Sequence, residues 1–558
     1  MSRKKAADRL IYLPLGGAGE IGMNAYVYGY GAPGKERLIV VDLGITFPDM
    51  DGTPGVDLIL PDIAWLEQRK AQIDGIFITH AHEDHVGAIG HYWERLGAPV
   101  YARKFTANIA RRKLAEYGHP DKVVTVVDSW PQTVTCGPFT VGFLPISHSI
   151  PESSGLCIDS PEGRVLHTGD FKIDLTPIVG DPFDRELWAE VSKPGVRALV
   201  CDSTNIFSPA PGRSEASIAQ EVEGLMKDAP GMVVATTFAS NVARLKTLAE
   251  AGVRAGRSVC LLGRAMQRMT EAAKETGVLP DFPSTISPED AQSLPRQNVL
   301  LLVTGSQGER RAASAQLAQG SYLGLKLKEG DTFLFSSKTI PGNERGVIRI
   351  MNQLSEMGVD IVDDDKRFHV SGHANRPDLE AMHEIVKPQI LIPMHGEHRH
   401  LREHVKIGEA KGLAGIVAVN GMMIDLSGNR PSVAEYIETG RTYIDGSVMV
   451  GQFDGIVRER IKLAMNGMIV VTLIIDEEGD PLGDPWVEIA GMAETGRSNA
   501  SLVEVMEEDL SQFVNRADAK TLADDDKLET ELKAVARRAA KSEIGKKPEV
   551  LVIVSRLG

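Results

Sequence analysis

Apolar and polar positions follow two rhythms along this chain. Residues 9 to 60 carry short alternating runs, Ala25–Tyr30 and Arg37–Asp42 among them, parted by the turn-forming GAPGKE, and this predicts β-hairpins. From 74 to 200, strand-like segments (Gly75–Thr79, Lys122–Val127, Phe139–Leu144, Val165–His167, Ala198–Cys201) alternate with helical ones. From 214 to 364 the alternation becomes regular. Helices Ser214–Asp228, Val242–Ala255, Ala265–Glu275, Glu309–Ala318 and Glu344–Met357 are interleaved with strands Met232–Phe238, Ser258–Leu262, Val299–Thr304, Thr332–Ser336 and Asp360–Val362. That rhythm predicts a parallel sheet flanked by helices. Past residue 365, strands are expected at His369–Ala374, Ile390–His395 and Ile416–Val419, followed by a connector over 430–460 with few periodic elements. The tail, 461 to 558, predicts a small α+β unit with strands Met468–Ile475, Trp486–Ile489 and Val550–Val554.

At 558 residues the chain exceeds one ordinary core, so two or three domains are expected. Runs such as Met468–Ile475 fall well short of the ~20 apolar residues that a membrane span requires. The start, MSRKKAADRLIYL, lacks the apolar core and cleavage site of a secretory signal, so a cytoplasmic location is expected. Cys136, Cys157, Cys201 and Cys260 lie far apart beside apolar or small residues, the profile of buried free thiols. A formal charge of −15 excludes a uniformly basic polyanion binder and confines any nucleic-acid contact to a local groove. Arg103–Lys104, Arg111–Lys113, Arg244–Lys246, Arg264 with Arg268, and Arg310–Arg311 are basic stretches that could line one. Gly17, Gly19 and Gly22, with Asp42 further on, spell a dinucleotide-binding fingerprint, but a strand and not a helix is expected after the glycines, which argues against that use.

The chemistry concentrates in THAHEDHVGA, residues 79–88, where His80, His82, Asp84 and His85 follow a predicted strand. A loop leaving a strand end can turn His80 and His82 toward one ion while Asp84 and His85 reach a second. Imidazole with carboxylate suits zinc or manganese. Further ligands should stand at other strand ends, and His148 in PISHS, Asp170 in HTGD and His395 in IPMHGE occupy such places.

THAHEDHVGA, with VVDLG before it and SHS and HTGD after it, resembles the metallo-β-lactamase superfamily, whose fold is an αββα sandwich with a two-metal site at one edge. The later CDSTN, HVSGHA and PMHGE resemble its β-CASP branch, which acts on nucleic acids and inserts an extra domain. Within it, LGGAGEIGMN, TFASN, TGSQGE, SSKTIPGNE and HVSGHANRPDL are most similar to the bacterial ribonuclease J family. The resemblance implies an α/β architecture: a metallo-β-lactamase domain over 1–210 and 365–430, an inserted β-CASP parallel α/β domain over 211–364, a linker over 431–460 and a small C-terminal α+β domain over 461–558. By motif, His80, His82 and His148 would hold one metal and Asp84, His85 and His395 the other; Asp170 would bridge them, with Asp42 and Asp202 supporting the site from behind. The ions would be two divalent metals, Zn²⁺ first, with Mn²⁺ or Mg²⁺ as alternatives.

The implied activity is 5′-to-3′ removal of nucleotides from single-stranded RNA bearing a 5′-monophosphate, with internal cleavage besides, in rRNA maturation and mRNA decay. Two metals can lower the pKa of a shared water and hold a phosphodiester oxygen. Asp84 would orient that water or take its proton, and His373 would donate to the scissile phosphate or leaving oxygen, with His395 the remaining catalytic candidate. A terminal-phosphate pocket is expected where small residues precede a helix: Ser240 and Asn241 with Arg244 one turn in, and Ser371, Gly372, His373 and Ala374. A homodimer or homotetramer is expected, with no membrane partner. The competing readings are a β-CASP nuclease acting on DNA, a small-molecule hydrolase of the superfamily, which would have no use for the insertion, and a non-catalytic RNA scaffold, which should have lost ligands.

Overall fold

The computed structural model describes residues 7–557, so the basic start at Met1–Ala6 lies outside the described residues. The described residues form two units: those to Thr46 with Leu60–Gly440, and Phe47–Ile59 with the described residues from Arg441 on.

In the larger unit two mixed sheets face one another. The first runs in the order Ser432–Tyr436, Met422–Asp425, Arg9–Gly16, Ala25–Gly31, Arg37–Val41, Ile73–Ile78, Val100–Ala102 and Val124–Val126; the second in the order Ala414–Gly415, Ile390–Met394, Ala198–Asp202, Gly163–His167, Ser154–Ser160, Phe139–Pro145 and Thr133–Cys136. Alternation along each strand sends one set of side chains into the gap between the sheets. Tyr12, Tyr26, Tyr28 and Phe77 from the first meet Phe143, Leu156, Ile158, Val165, Val200 and Ile392 from the second in one core. The opposite face of the second sheet, with Leu144, Cys157, Leu166 and Leu199, is covered by Trp188, Leu379, Met382 and Val386 from helices Arg185–Ser192 and Arg376–Val386. The two facing sheets are those expected of an αββα sandwich. Phe77 is wholly buried and stacks on Tyr101 with ring centroids 5.0 Å apart. Phe77→Ala is expected to lower unfolding stability by about 3–5 kcal/mol, measured by urea denaturation; a loss under about 1 kcal/mol would show that this core collapses around the gap.

The inserted βα stretch forms a five-stranded parallel sheet in the order Ser258–Leu262, Val299–Val303, Val233–Thr236, Thr332–Phe335, Asp360–Val362, with its own core around Val234, Leu301 and Phe333. Its elements follow the sequence rhythm closely. The helix expected from Glu309 begins only at Ala313, because GERR is spent in turns, and the first turn of Ser214–Asp228 is 3₁₀.

Three expectations are corrected. His369–Ala374 is an irregular loop, since its carbonyls at His369, Val370, Gly372 and His373 accept from side chains and not from a neighbouring strand. The short strand near 416 is Ala414–Gly415, one step upstream of the expected Ile416–Val419. The stretch 430–460 is structured: it carries strands Ser432–Tyr436, Arg441–Asp445 and Val448–Gly451 and the start of helix Ile456–Asn466. Its alternation is weak because those strands are largely exposed or half-buried.

In the smaller unit, Met468–Ile475 pairs antiparallel with Trp486–Ala490 and parallel with Glu549–Arg556, and helices Leu502–Val514 and Asp525–Ile544 bury Met506, Leu510, Leu528 and Leu532 in the same core as Ile469 and Val471. Residues 47–59 belong here because Asp57 N–H donates to the Ile444 carbonyl and the Asp57 carboxylate accepts from Gly446 N–H, each at 2.8 Å. All four cysteines are free and buried. Among the described residues no helix is long and apolar enough to cross a membrane.

Candidate metal centre

Parallel pairing sets the site. Arg37–Val41 and Ile73–Ile78 run parallel in the first sheet, and Gly163–His167, Ala198–Asp202 and Ile390–Met394 run parallel in the second, so the C-terminal ends of each set share an edge. Asp42, His80, Asp170, Asp202 and His395 each lie at or just beyond one of those ends. His82 precedes a single helical turn, Glu83–Val86, which brings His85 back beneath it. The turn packs so closely that a side chain at Gly44 would meet the Asp84 carbonyl at 1.7 Å, which explains the glycine of VVDLG. Gly17, Gly19 and Gly22 form a left-handed turn followed by strand Ala25–Gly31, where a dinucleotide fold would have a helix.

Among the described residues, two of the four groups of converging ligating atoms are His80, His82, His148 and Asp170, and Asp84, His85, Asp170 and His395, with the atoms of each within 4.8 Å of one another. Asp170 is common to both. His82 Nδ1 lies 3.1 Å from His80 Nε2 and 3.1 Å from His148 Nε2, while Asp170 Oδ2 lies 3.9 Å from each of those Nε2 atoms. In the second group His85 Nε2 is 3.2 Å and 3.6 Å from Asp170 Oδ2 and Asp84 Oδ2, and His395 Nε2 is 3.2 Å from Asp84 Oδ2. Nitrogens about 3.3 Å apart span the edge of a tetrahedron with metal–nitrogen bonds of about 2.0–2.1 Å. The rings also stand nearly perpendicular, 80° between His80 and His82 and 76° between His82 and His148, so their nitrogens converge from different directions.

A third group, Asp170, Asp202, His373 and His395, overlaps these at the same edge, and a fourth, Cys201, His383 and His404, behaves differently. The Nε2 atoms of His383 and His404 are 2.9 Å apart with centroids at 5.1 Å and nearly coplanar rings, a nose-to-nose arrangement that suits one N–H···N hydrogen bond and leaves no point for a metal.

Charge favours a cation at the first two groups. Burial pushes His80 and His148 well below the usual imidazole range and His82 down to about 4, so all three offer lone pairs. Burial works against charge at His85 and His395 too, but Asp170 and Asp84 outweigh it, raising His395 to about 10 and His85 well above its ordinary value. His395 Nε2 is buried, with the Asp84 carboxylate 3.2 Å away and no well-aligned hydrogen bond. His395 and Asp42 hold left-handed backbone, φ 48° and 63°, a strain of order 1–3 kcal/mol of the sort that accumulates at functional sites. The donor set, the aim of the rings and the surplus of carboxylate therefore fit divalent metal.

The supporting shell is dense. The buried Asp42 carboxylate accepts from Thr79 N–H at 2.7 Å, from Thr79 Oγ1 at 2.8 Å and from His85 Nδ1 at 2.7 Å, which leaves His85 Nε2 facing Asp170. His148 Nδ1 donates to the Gly372 carbonyl at 2.6 Å, and Asp202 Oδ2 holds His373 Nδ1 at 2.9 Å. Asn24, Thr79 and Asn205 were not singled out from the sequence. Asn24 Nδ2 donates to the Asp84 carbonyl at 3.0 Å and lies 3.0 Å from His85 Nε2, with Tyr26 O–H donating to Asn24 Oδ1 at 2.6 Å; no spacing signal marks such a residue. Asn24→Ala is expected to weaken metal affinity about 10–100-fold, by titration calorimetry; unchanged affinity would make the amide dispensable.

The predicted phosphate-binding residues divide. Ser371, Gly372, His373 and Ala374 lie on the loop beside the site, and a side chain at Gly372 would collide with Ser149 and His148. Ser240 and Asn241 do precede helix Val242–Arg254, where Asn241 is the N-cap, accepting from Arg244 N–H. The expectation for Arg244 is corrected: it is wholly buried, and its guanidinium is engaged by Glu215 and by main-chain carbonyls.

Comparison with known proteins agrees with this geometry. Residues 18–203 match the metallo-beta-lactamase superfamily, 230–354 the ribonuclease J beta-CASP domain, 359–417 the Zn-dependent metallo-hydrolase RNA specificity domain and 455–557 the ribonuclease J C-terminal domain. Ribonuclease J of Sinorhizobium meliloti is 39% identical over 556 residues, covering 99% of this chain and 98% of that one; the Corynebacterium glutamicum protein of the same name is 36% identical over 503 residues, 89% of this chain and 69% of that one. Ribonuclease J2 of Bacillus subtilis is 31% identical over 511 residues, 90% and 91% of the two chains. A crystal structure of an Enterococcus faecalis V583 protein of unknown function shares the fold at TM-score 0.51 and 17% identity, over 75% of this chain and 100% of that one. Similar to these relatives along nearly its whole length and carrying the family's domains in order, this chain belongs to the ribonuclease J family.

Proposed function

We propose that this metal-dependent ribonuclease removes nucleotides 5′ to 3′ from single-stranded RNA with a 5′-monophosphate and also cuts internally, in rRNA maturation and mRNA decay. The observation that carries the reading is the pair of ligand groups sharing Asp170, with His373 3.9 Å from the same carboxylate. His80, His82, His148 and Asp170 would hold one divalent ion, and Asp84, His85, His395 and Asp170 a second, zinc or manganese. Such ions supply a water of near-neutral pKa and charge stabilisation at the phosphate.

The chain's own residues do the rest. Asp84 Oδ2, beside His85 and His395, orients the attacking water and takes its proton. His373 gives Nδ1–H to Asp202, so its Nε2 is the nitrogen available to substrate. Burial disfavours its charge, but Asp202 and Asp170 raise its pKa, keeping a proton there for the leaving oxygen. The loop Ser371–Ala374 and the start of helix Val242–Arg254, joined through Arg244, supply main-chain N–H groups for the terminal phosphate. We place the protein in the cytoplasm as a homodimer or homotetramer.

RNA labelled at its 5′ end tests this. Labelled mononucleotide from 5′-monophosphate RNA, blocked by a 5′-triphosphate and absent with Asp84→Ala, is expected. Internal fragments alone would remove the terminal-phosphate pocket from the proposal, and preferential cutting of a DNA of the same sequence would move the chain to the DNA-nuclease reading.

A further inference from the structure

The loop carrying His373 meets the main chain only at its ends, through an isolated bridge between Asn375 and Asn205 and through Phe368 and His369 N–H groups bonded to Asp364 and Asp365 carbonyls, so between them its position depends on side chains that reach its carbonyls. Its outgoing end is pinned near the site: Asn205 Nδ2 donates to Ser371 Oγ at 2.8 Å, to the His373 carbonyl at 3.2 Å and to Asn375 Oδ1 at 3.2 Å. Its incoming end is pinned by Arg244. A guanidinium has five N–H groups in a fixed fork, and here all three nitrogens are engaged. Nε and Nη2 donate to the two Glu215 oxygens, and Nη1 donates to the Ser336 carbonyl at 2.6 Å and Oγ at 3.1 Å. Nη1 also reaches the Phe368 carbonyl at 3.3 Å and His369 Nδ1 at 3.3 Å, while Nη2 reaches the Val370 carbonyl at 3.4 Å. Ser336 O–H donates to the Phe368 carbonyl as well, at 2.7 Å. Arg244 and Glu215 are 0% and 4% exposed.

We infer that Arg244, oriented by Glu215, is a positioning residue for catalysis: it fastens the inserted domain to the 368–375 loop and so sets the place of His373, and through the Gly372 carbonyl the orientation of His148. Arg244 and Glu215 stand in the stretch between the two halves of the lactamase domain, and Ser336 follows a strand of the inserted sheet. Phe368–Val370 lie three to five residues before His373. A lysine cannot replace the fork, because a single ammonium lacks its planar spread of donors. This assignment also explains an arginine one turn inside a helix start whose charge is met by Glu215. It rests on the role given to His373 above.

Two measurements test it on the full chain, one independent of activity. Arg244→Lys keeps the charge beside Glu215, and the pair Glu215→Met with Arg244→Met removes both charges together, so at least one folded variant is expected. By hydrogen exchange, amides of 368–375 should lose protection in the folded variant while those of the central strand Val299–Val303 keep theirs; unchanged protection of the loop overturns the inference whatever the substrate proves to be. In ribonuclease assays, kcat should fall about 100-fold, the scale of a 1 Å misplacement, with KM within about threefold. In a His373→Ala background the same change should cost less than about threefold. An equal loss in both backgrounds would make Arg244 merely structural, and a raised KM at constant kcat would return it to RNA binding. Full activity in His373→Ala itself would instead sink the proposed role of His373, leaving the exchange result to stand alone.

Discussion

Asp170→Asn is expected to lower ribonuclease kcat at least about 1,000-fold, about 4 kcal/mol of barrier at ~1.4 kcal/mol per decade, and to lower bound divalent metal per chain. Asp170 is 2% exposed and is the one carboxylate common to both ligand groups. Its Oδ2 lies 3.2 Å from His85 Nε2 and 3.9 Å from the Nε2 atoms of His80 and His148, and its Oδ1 accepts from His395 Nδ1 at 2.6 Å. An amide is nearly isosteric but neutral and turns one acceptor into a donor, so it removes the negative charge common to both groups and presents N–H to one of them. A second readout needs no substrate. Metal that binds the folded chain alone stabilises it by about 2.7 kcal/mol at a hundred times its Kd, so added zinc or manganese should raise the Tm of the parent and not of the variant. Metal-dependent stabilisation that survives Asp170→Asn undiminished would remove Asp170 from the centre.

His373→Ala should cost about 100- to 10,000-fold in kcat with KM little changed, the range of a positioned general acid. The side chain is 22% exposed, the most open imidazole of those that meet Asp170, while Asp202 Oδ2 fixes its Nδ1 at 2.9 Å. An RNA whose leaving 3′ oxygen is replaced by sulfur departs without protonation, so the variant should recover most of its lost rate on that substrate. Equal loss on the oxygen and sulfur substrates would assign His373 to the phosphate and not to the leaving group.

Much of this was legible in the residues. The cluster His80–His85 could be read because its ligand types are crowded within six positions, and the inserted sheet because strand and helix periods alternate without interruption. The strand Met468–Ile475 was placed to the residue, since eight apolar or β-branched positions in a row admit little else. Exposed short strands such as Ser432–Tyr436 left no such pattern, and 430–460 therefore read as a connector.

Local order is thus what the sequence by itself determined: ligand type, strand period, and the ends at which chemistry could stand. Tertiary structure alone decided who meets whom. His148 is steadied by a carbonyl 224 positions away at Gly372, and His395 meets Asp170 across 225. An arginine that reads as a phosphate ligand is turned inward by Glu215. Even residue type misleads at that range, for Cys201, His383 and His404 converge as a metal trio would and yet the two histidines face one another nose to nose. The physical reason is the same in each case: a buried polar atom must find its partner, and that partner is chosen by packing over hundreds of residues, which no local spacing records.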